Sequence, residues 1–478
     1  REITGPNANL QTLSRGINTV ALDTGSRDIV DLHAKMFKKH GTTTIRNFDA
    51  LNDVSNLEFS AKCINNHGLN HEIVIAVMDL PPGCIGAHDV EFYEKILRQI
   101  LNSDIKFTSL CFKDASGTAH PKKVYDTIKM ARNLLPKDAH IRFHTHESAG
   151  ISVACYLAAL EAGADGIDTA IAPVSGGTSQ PDILTMLHAT KNSNFNLSDL
   201  ESSKLMKVKE CLADLLKEYY VPREAKRVSP LIPFSPMPGG ALTANTQMMR
   251  DNNILHKYPE VIAAMREVVE KGGYGTSVTP VSQFYWQQAF SNVMFGKWKK
   301  IADGYGRMVL GYFGKTPIAP DPEIVKLASE QLKLEPTKEK PLDIADKDER
   351  KSINFWKNIL KDKKLDTTDE NIFIAAACAE KGIEFLEGKT KANVRKNISD
   401  DEESNQKKES KSDENVSAYT ILLDGESYNV QVAAGSNADI VSTLGKVQVT
   451  GIKKTSTEDD AAQTGSGQNV TAPVNGVV

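Results

Sequence analysis

The residues able to do chemistry sit in a handful of short motifs. His144-Thr145-His146 sets two imidazoles two residues apart. In a β-strand, residues i and i+2 point to the same face, and two imidazoles on one face at a strand end can bind one metal ion. A chance spacing with one histidine satisfied in the core is the plain alternative. Lys113-Asp114 ends another apolar run. An ammonium cannot ligate a cation, so a metal-binding Lys113 requires reaction with CO2 to a carbamate, an anionic oxygen ligand suited to a divalent metal. A solvated or ion-paired lysine is the competing reading. Asp49, in FDALND at 48–53, fits a contact around a metal or substrate or a helix cap; Asp114 is placed with it in the surroundings of the metal. Arg15-Gly16 offers a forked donor for a carboxylate beside a residue that permits close approach, and a surface ion pair serves as well. SGGTSQP at 175–181 is a glycine-rich loop of the kind that binds anions before a helix. It lacks the GK[ST] ending of a phosphate-binding loop, so any ATP in the reaction belongs to another chain.

These residues need elements to position them. Up to about residue 195, short apolar runs at 10–14, 43–48, 73–78, 108–113, 140–145 and 166–170 alternate with helical patterns such as 28–40 and 90–101. Repeated strand–helix units imply parallel strands with right-handed crossovers. Arg15, Asp49, Lys113, His144, His146 and Thr178 fall at the C-terminal ends of these strands. A TIM barrel assembles its site in that way, whereas an open doubly wound sheet concentrates it at one switch point. The expected fold is therefore an α/β TIM barrel over 1–195, short of two strands by count. A helical domain follows over 196–395, with helices at 200–219, 258–272, 283–301, 321–334, 351–360 and 370–386 and a Pro-rich loop at 229–240. The polar stretch 396–416 reads as a linker. A small β unit at 417–453 opens with a hairpin around Asp424-Gly425; 454–469 is a second linker, and 470–478 starts another apolar segment.

Composition narrows the function. The 478 residues carry a formal charge of −4 and are 40% hydrophobic, ordinary for a soluble protein. No dense basic helix suggests nucleic acid. No apolar run reaches the roughly 18–20 residues of a membrane helix, and no secretory signal opens the chain. The six cysteines, at 63, 84, 111, 155, 211 and 378, form no CxxC pair, which fits a reducing, cytoplasmic setting.

FDALND at 48–53, LCFKDASG at 110–117, RFHTHESAG at 142–150 and DGIDTAIAPVSGGTSQPD at 165–182 together resemble the carboxyltransferase domain shared by pyruvate carboxylase, the oxaloacetate decarboxylase α chain and the transcarboxylase 5S subunit. MPGGALTANTQMMRDN at 237–252 and YGTSVTPVSQFYWQQAF at 274–290 are similar in particular to the B subunit of two-subunit bacterial pyruvate carboxylases. The resemblance implies carboxyl transfer from carboxybiotin to pyruvate, giving oxaloacetate. It implies that Lys113, as carboxylysine, His144 and His146 ligate a divalent metal, with zinc, manganese or cobalt suited to such ligands. Arg15 would then hold the pyruvate carboxylate, and Thr178 would relay a proton between pyruvate and biotin. The implied partners are an ATP- and bicarbonate-using biotin carboxylase subunit, a biotinyl domain and further copies of the chain.

Three departures qualify the resemblance. The family's first two strands, with a DxTxRD-like motif that supplies an aspartate ligand, have no match here, so an incomplete metal shell and little activity are expected of this segment alone. A tyrosine common seven residues after the Arg15 position is Leu22. Ala472-Pro473-Val474-Asn475-Gly476 resembles the start of a biotinyl domain, but the lysine that would carry biotin is not among these residues. Three other readings compete: the decarboxylase α chain of a sodium-pumping complex, a biotin-free metal-dependent aldolase or condensing enzyme, and a non-catalytic scaffold.

Overall fold

The computed structural model describes residues 3–195, 200–390, 396–397, 416–423 and 426–433. Six strands, β1 (Gln11–Ser14), β2 (Thr44–Asn47), β3 (Asn70–Ala76), β4 (Ser109–Asp114), β5 (His140–Thr145) and β6 (Gly166–Ile167), form one parallel sheet in chain order. The intervening crossovers carry α1 (Arg27–Lys39), α2 (Glu58–Asn66), α3 (Val90–Leu101), α4 (Pro121–Leu134) and α5 (Ser152–Ala162), and α6 (Ile183–Ala189) follows β6. All six predicted strands are present, and their sequential order is that of a βα barrel wall rather than of a sheet that reverses at a switch point.

Period-two alternation divides each strand between two environments. Ile73, Ile75, Leu110, Phe112, Ile141 and Phe143 pack outward on helix residues such as Leu97, Ile128 and Ala159. Each large side chain buried there contributes roughly 1.5–3 kcal/mol. The other face mixes charged side chains with small apolar ones such as Val74, Ala76 and Cys111. The register sets Arg46 beside Glu72, Glu72 beside Ser109, Cys111 beside Arg142 and Lys113 beside His144.

Nine helices follow among the described residues: α7 (Ser202–Leu215), α8 (Gly239–Asp251), α9 (Tyr258–Lys271), α10 (Val281–Phe295), α11 (Asp303–Val309), α12 (Pro322–Leu332), α13 (Pro341–Lys347), α14 (Ile353–Asp362) and α15 (Asp369–Leu386). Their core, around Met265, Val268, Tyr285, Trp286 and Tyr305, runs on into Phe48, Ala76, Cys111 and Ala115 of the barrel wall. The helix predicted at 283–301 ends at Phe295, because Gly296 turns the chain at φ +99°. The one predicted at 200–219 stops at Leu215. Helices α8, α11 and α13 escape the sequence pattern. The first begins with Gly239-Gly240, the poorest helix formers after proline, and the other two are seven residues long, too short to show a period.

The segment before α8 crosses the strand ends, and two glycines permit it. A Cβ on Gly239 would lie 1.8 Å from the Thr178 carbonyl oxygen and 2.7 Å from His146 Nδ1. A Cβ on Gly177, at φ +56°, would meet the Ala225 oxygen at 2.4 Å. Gly240, by contrast, has nothing within 4 Å of that position.

Residues 412–478 form a separate unit. In it β7 (Val416–Leu423) and β8 (Glu426–Ala433) pair antiparallel, Tyr419 opposite Val430 and Ile421 opposite Tyr428, as the alternation predicts. The Asp424-Gly425 turn, most of the 396–416 linker, the remainder of the β unit to 453, the linker at 454–469 and the 470–478 segment lie outside the described residues. Lys396 is described, and it bridges Tyr219. No described helix is long and apolar enough to cross a membrane.

Helix α1 leads from the Arg15 loop and is braced by the C-terminal helices. Ile29, Leu32 and Met36 pack on Leu360, Ile372 and Ala375. His33 lies 2% exposed between Phe37 and Phe373, with Nε2 buried and unpartnered. Lys35–Asp369 and Lys39–Glu370 ion pairs flank it. Burial pushes the imidazole down to about 4.

Two outcomes are expected. Gly239→Ala should lower the unfolding free energy by about 1–3 kcal/mol through overpacking, while Gly240→Ala should leave it unchanged or raise it by up to about 1 kcal/mol; urea melts compare them. Between pH 6.5 and 4 the unfolded chain takes up a proton at His33 that the folded chain refuses, so stability falls as the pH drops. His33→Leu removes that contribution, and its urea midpoint should decline less between about pH 7 and pH 5 than that of the unsubstituted protein.

Candidate active site

The polar face of the sheet begins with four charges. Arg46 on β2 pairs with Glu72 on β3 and with Asp168 just after β6. Arg142 on β5 reaches the same two carboxylates, at 3.2 Å and 3.1 Å. Two cations thus face two anions. Burial alone would raise the Asp168 carboxyl, but the His144 hydrogen bond and the Arg46 charge overcome it and hold it well below the usual range.

This arrangement fixes His144. Its Nδ1 lies 2.8 Å from Asp168 Oδ2, and a carboxylate can only accept, so Nδ1 carries the proton. His146 Nδ1 lies 2.7 Å from the Thr178 carbonyl oxygen and must donate for the same reason. Burial holds His144 low and brings His146 down to about 3, with the neighbouring His144 adding to it. Both rings are therefore neutral, and both Nε2 atoms present lone pairs. Those two atoms stand 3.1 Å apart. Lone pairs held that close repel one another unless a positive charge lies between them. Among the described residues, the polar hydrogen that comes near is that of the Gln180 amide, 3.3 Å from His146 Nε2. The pair therefore fits a cation by its own donor geometry. Among the described residues, no group of three or more His, Cys, Asp or Glu forms a metal set.

Lys113 is next to His144 across the β4–β5 register and points to the same face. It is 8% exposed, with Nζ 4.6 Å from the Phe48 ring centre. Burial, with the Arg46 and Arg15 charges, pulls its ammonium down to about 8. The carboxylates of Glu72 and Asp168 are already engaged by the two arginines, so the Lys113 charge is left unbalanced beside them.

Arg15 caps the end of β1. Its Nη1 donates to the Val20 and Ala21 carbonyls, and its buried Nε has no partner. An unpaired buried donor costs roughly 1–3 kcal/mol, which suits a group that awaits an anion. Leu22, on the same loop, is exposed and lines a cleft of about 600 Å³ together with Asp23, Asn245, Trp286 and Arg307.

Thr178 is held by its loop. Asp182 accepts from Ala172 N, Ser175 Oγ and Leu184 N at 2.7–2.8 Å, so it both ties the loop and caps α6. The Thr178 hydroxyl lies 2.9 Å from Thr243 Oγ1 on α8 and 3.3 Å from the Ala225 carbonyl.

Asp49 and Asp114 are engaged elsewhere. Asp49 accepts from Leu51 N, Asp53 N and Asn56 Nδ2. Burial, with the Asp53 charge, raises it to about 7. Asp114 accepts from the Ser116, Gly117 and Ala119 amides and from the Thr145 hydroxyl. Each organises the loop after its own strand, and neither is hydrogen-bonded to the histidine pair. Asp168, Arg46, Glu72, Arg142 and Thr243 escape the motif-by-motif reading. The first four had a signal: charged residues in or at the ends of apolar strands, Arg46, Glu72 and Arg142 in the same alternation phase as Lys113 and His144.

Comparison with known proteins bears on what this arrangement serves. Residues 59–212 match the HMGL-like family, and residues 232–441 match a conserved carboxylase domain. The methylmalonyl-CoA carboxyltransferase 5S subunit of Propionibacterium freudenreichii subsp. shermanii is 29% identical over 71% of this chain and 66% of its own length. The pyruvate carboxylase B subunit of Methanocaldococcus jannaschii is 27% identical over 89% of this chain and 72% of its own. Another pyruvate carboxylase B subunit, from Methanothermobacter thermautotrophicus, is matched over 55% of its length, so the chain spans between about half and three quarters of these relatives. The carboxyl transferase domain of Rhizobium etli pyruvate carboxylase, solved with oxamate and biotin, superposes with a TM-score of 0.70 at 21% identity, over 81% of this chain and 66% of that one. That likeness is one of fold. With the HMGL-like segment running into the conserved carboxylase domain, and relatives of this kind along most of its length, the chain is similar to the biotin-dependent carboxyltransferases in both of its matched segments.

Proposed function

We propose that the protein transfers a carboxyl group from carboxybiotin to pyruvate, giving oxaloacetate, as the carboxyltransferase component of a two-subunit pyruvate carboxylase. The observation that carries the reading is the pair of Nε2 lone pairs converging at 3.1 Å beside buried Lys113. The two relatives that are pyruvate carboxylase B subunits support the choice of substrate. They also support a separate biotin carboxylase partner that uses ATP and bicarbonate. A cytoplasmic setting accords with the reduced cysteines.

His144, His146 and Lys113, the last as its carbamate, would hold a divalent metal; zinc, manganese and cobalt all accept such ligands. When bound, the metal supplies a positive charge that lowers the energy of a developing enolate oxygen. The chain's own groups do the remainder. Lys113, desolvated and beside two guanidinium groups, is readily neutral, and a neutral amine is the form that reacts with CO2. Arg15 offers a buried guanidinium donor to the substrate carboxylate. Thr178, 8% exposed, holds its hydroxyl in a nearly dry setting, where it can accept a proton from the pyruvate methyl group and give its own to the biotin nitrogen. The segment before α8 covers His146 and Thr178 and excludes water that would intercept the enolate.

Two measurements test this. The full-length biotinylated protein should carboxylate pyruvate when supplied with a biotin carboxylase and ATP. Preferential turnover of 2-oxoglutarate, the substrate named in a relative from Hydrogenobacter thermophilus, would overturn the substrate assignment. Elemental analysis should find a divalent metal in the purified protein that disappears in His144→Ala and in His146→Ala but persists in His140→Ala. Metal retained by the first two variants would remove the histidine pair from the site.

A further inference from the structure

We propose that Asn397 is a clasp that fixes where the chain toward the carried biotin leaves the catalytic unit, on the run of chain that leads over the site, and so sets how often tethered biotin reaches that site. The inference rests on the reading of the protein as a biotin-dependent carboxyltransferase. It goes beyond that reading, because no step of the transfer itself requires the clasp.

By composition, 396–416 is a linker with too little apolar surface to fold. Its first two residues are nonetheless held. The Asn397 backbone N–H donates to the Glu218 carbonyl at 2.8 Å. Its side-chain Nδ2 donates to the Lys217 carbonyl at 3.0 Å and to the Tyr219 carbonyl at 3.4 Å. Carbonyl oxygens only accept, so the amide must turn Nδ2, with its two hydrogens, toward them. One residue thus serves three consecutive carbonyls of the chain that follows α7. Lys396 holds the other side. Its Nζ lies 3.0 Å from Glu218 Oε2 and 5.3 Å from the Tyr219 ring centre, and its backbone bridges Tyr219 antiparallel. Asparagine suits the position because it carries two hydrogens on a short side chain. An aspartate of the same shape would set lone pairs against lone pairs.

The chain that receives the clasp is itself tied to the site. The Tyr220 hydroxyl donates to Gln247 Oε1 on α8 at 3.1 Å, and Glu224 pairs with Arg250 on the same helix. The Ala225 carbonyl accepts from Thr178 N at 3.0 Å, and Ser229 N donates at 2.9 Å to the carbonyl of Ser148, two residues after His146. A tethered group meets its site at an effective concentration set by where its tether starts and how much of it is free. With the clasp closed, the tether starts after Asn397, on a run of chain stitched to the loops of the site. With the clasp open, it starts after α15, which packs on α1 and α14. The free length grows and its origin moves, and both changes alter the rate at which carried biotin arrives while leaving the catalytic groups as they were.

The test compares the full-length protein with its Asn397→Asp and Asn397→Ala variants. Transfer through attached biotin is read as pyruvate carboxylation by the biotinylated protein with a biotin carboxylase and ATP. Transfer through free biotin is read as oxaloacetate decarboxylation by the unbiotinylated protein with biotin added. Asn397→Asp should lower the first rate about 3- to 10-fold and leave the second within about twofold, with Asn397→Ala between. Brief trypsin digestion, followed by mass spectrometry, should cut after Lys396 sooner in Asn397→Ala than in the unsubstituted protein, since a bridged backbone resists the protease. No turnover with either form of biotin in the unsubstituted protein overturns the carboxyltransferase reading and this inference with it. Biotin-dependent turnover with equal attached-biotin rates in all three proteins overturns the inference alone. So does an equal loss of both rates, which would make Asn397 a support of the site rather than of the tether, and so does cleavage after Lys396 as fast in the unsubstituted protein as in Asn397→Ala.

Discussion

The four-charge cluster of Arg46, Glu72, Arg142 and Asp168 is the constraint on which the polar side of the sheet depends. Taking two of these ions, Arg46 and Glu72, fully out of water and the other two partly so is expensive, and their mutual attraction offsets that only when the geometry is good. Here each carboxylate faces both guanidinium groups, so no single contact need be ideal. Removing Arg46 or Glu72, the two buried members, would leave a buried charge poorly compensated and cost several kcal/mol. That makes the strand register hard to slip, since a one-residue shift would turn these side chains into the apolar helix layer. It also determines the state of two residues above. Asp168 remains ionised and so compels the His144 tautomer. Arg46, with its charge already engaged, still disfavours a charged Lys113.

A second constraint is steric. The barrel wall ends in polar loops, and the helical layer must descend onto them without prising apart the His146–Thr178 hydrogen bond. A side chain at 239 would occupy the place of the Thr178 carbonyl oxygen itself. Glycine there is a packing requirement, whereas the adjacent Gly240 meets nothing. The same descent brings Thr243 into reach of Thr178, so the backbone approach and the hydroxyl pair have one cause.

Much of the wall was legible in the sequence, because alternation and turn signals are local. All six strands and the placing of Lys113, His144 and His146 at strand ends followed from runs of a few residues. Asp49 and Asp114 show where local reading leaves a choice open. A carboxylate after a strand looks alike whether it serves a metal or its own loop, and only the three-dimensional path of the loop amides decides. The charge cluster is the converse case. Arg46, Glu72, Arg142 and Asp168 lie on four strands or strand ends, and their pairing depends on the register between strands, which no single motif encodes. Thr243 was hidden for a further reason: its helix opens on two glycines, and so it did not look like a helix.

The two kinds of group at the site are held in opposite ways, and the difference suits the tasks proposed for them. A metal ligand must offer one lone pair in one direction. His144 and His146 do so because each Nδ1 is committed to an acceptor that cannot donate, a carboxylate in one case and a carbonyl in the other. Neither ring can flip or change tautomer without losing a buried hydrogen bond. A proton relay needs the contrary, a hydroxyl with more than one acceptable state. Thr178 has partners that allow its proton to point in two directions, toward the Thr243 hydroxyl at 2.9 Å or the Ala225 carbonyl at 3.3 Å. The rigid pair stands at the end of a strand, while the adaptable hydroxyl stands on a loop. That division follows from the fold, since strands fix side-chain direction through their ladders and loops leave it to local partners.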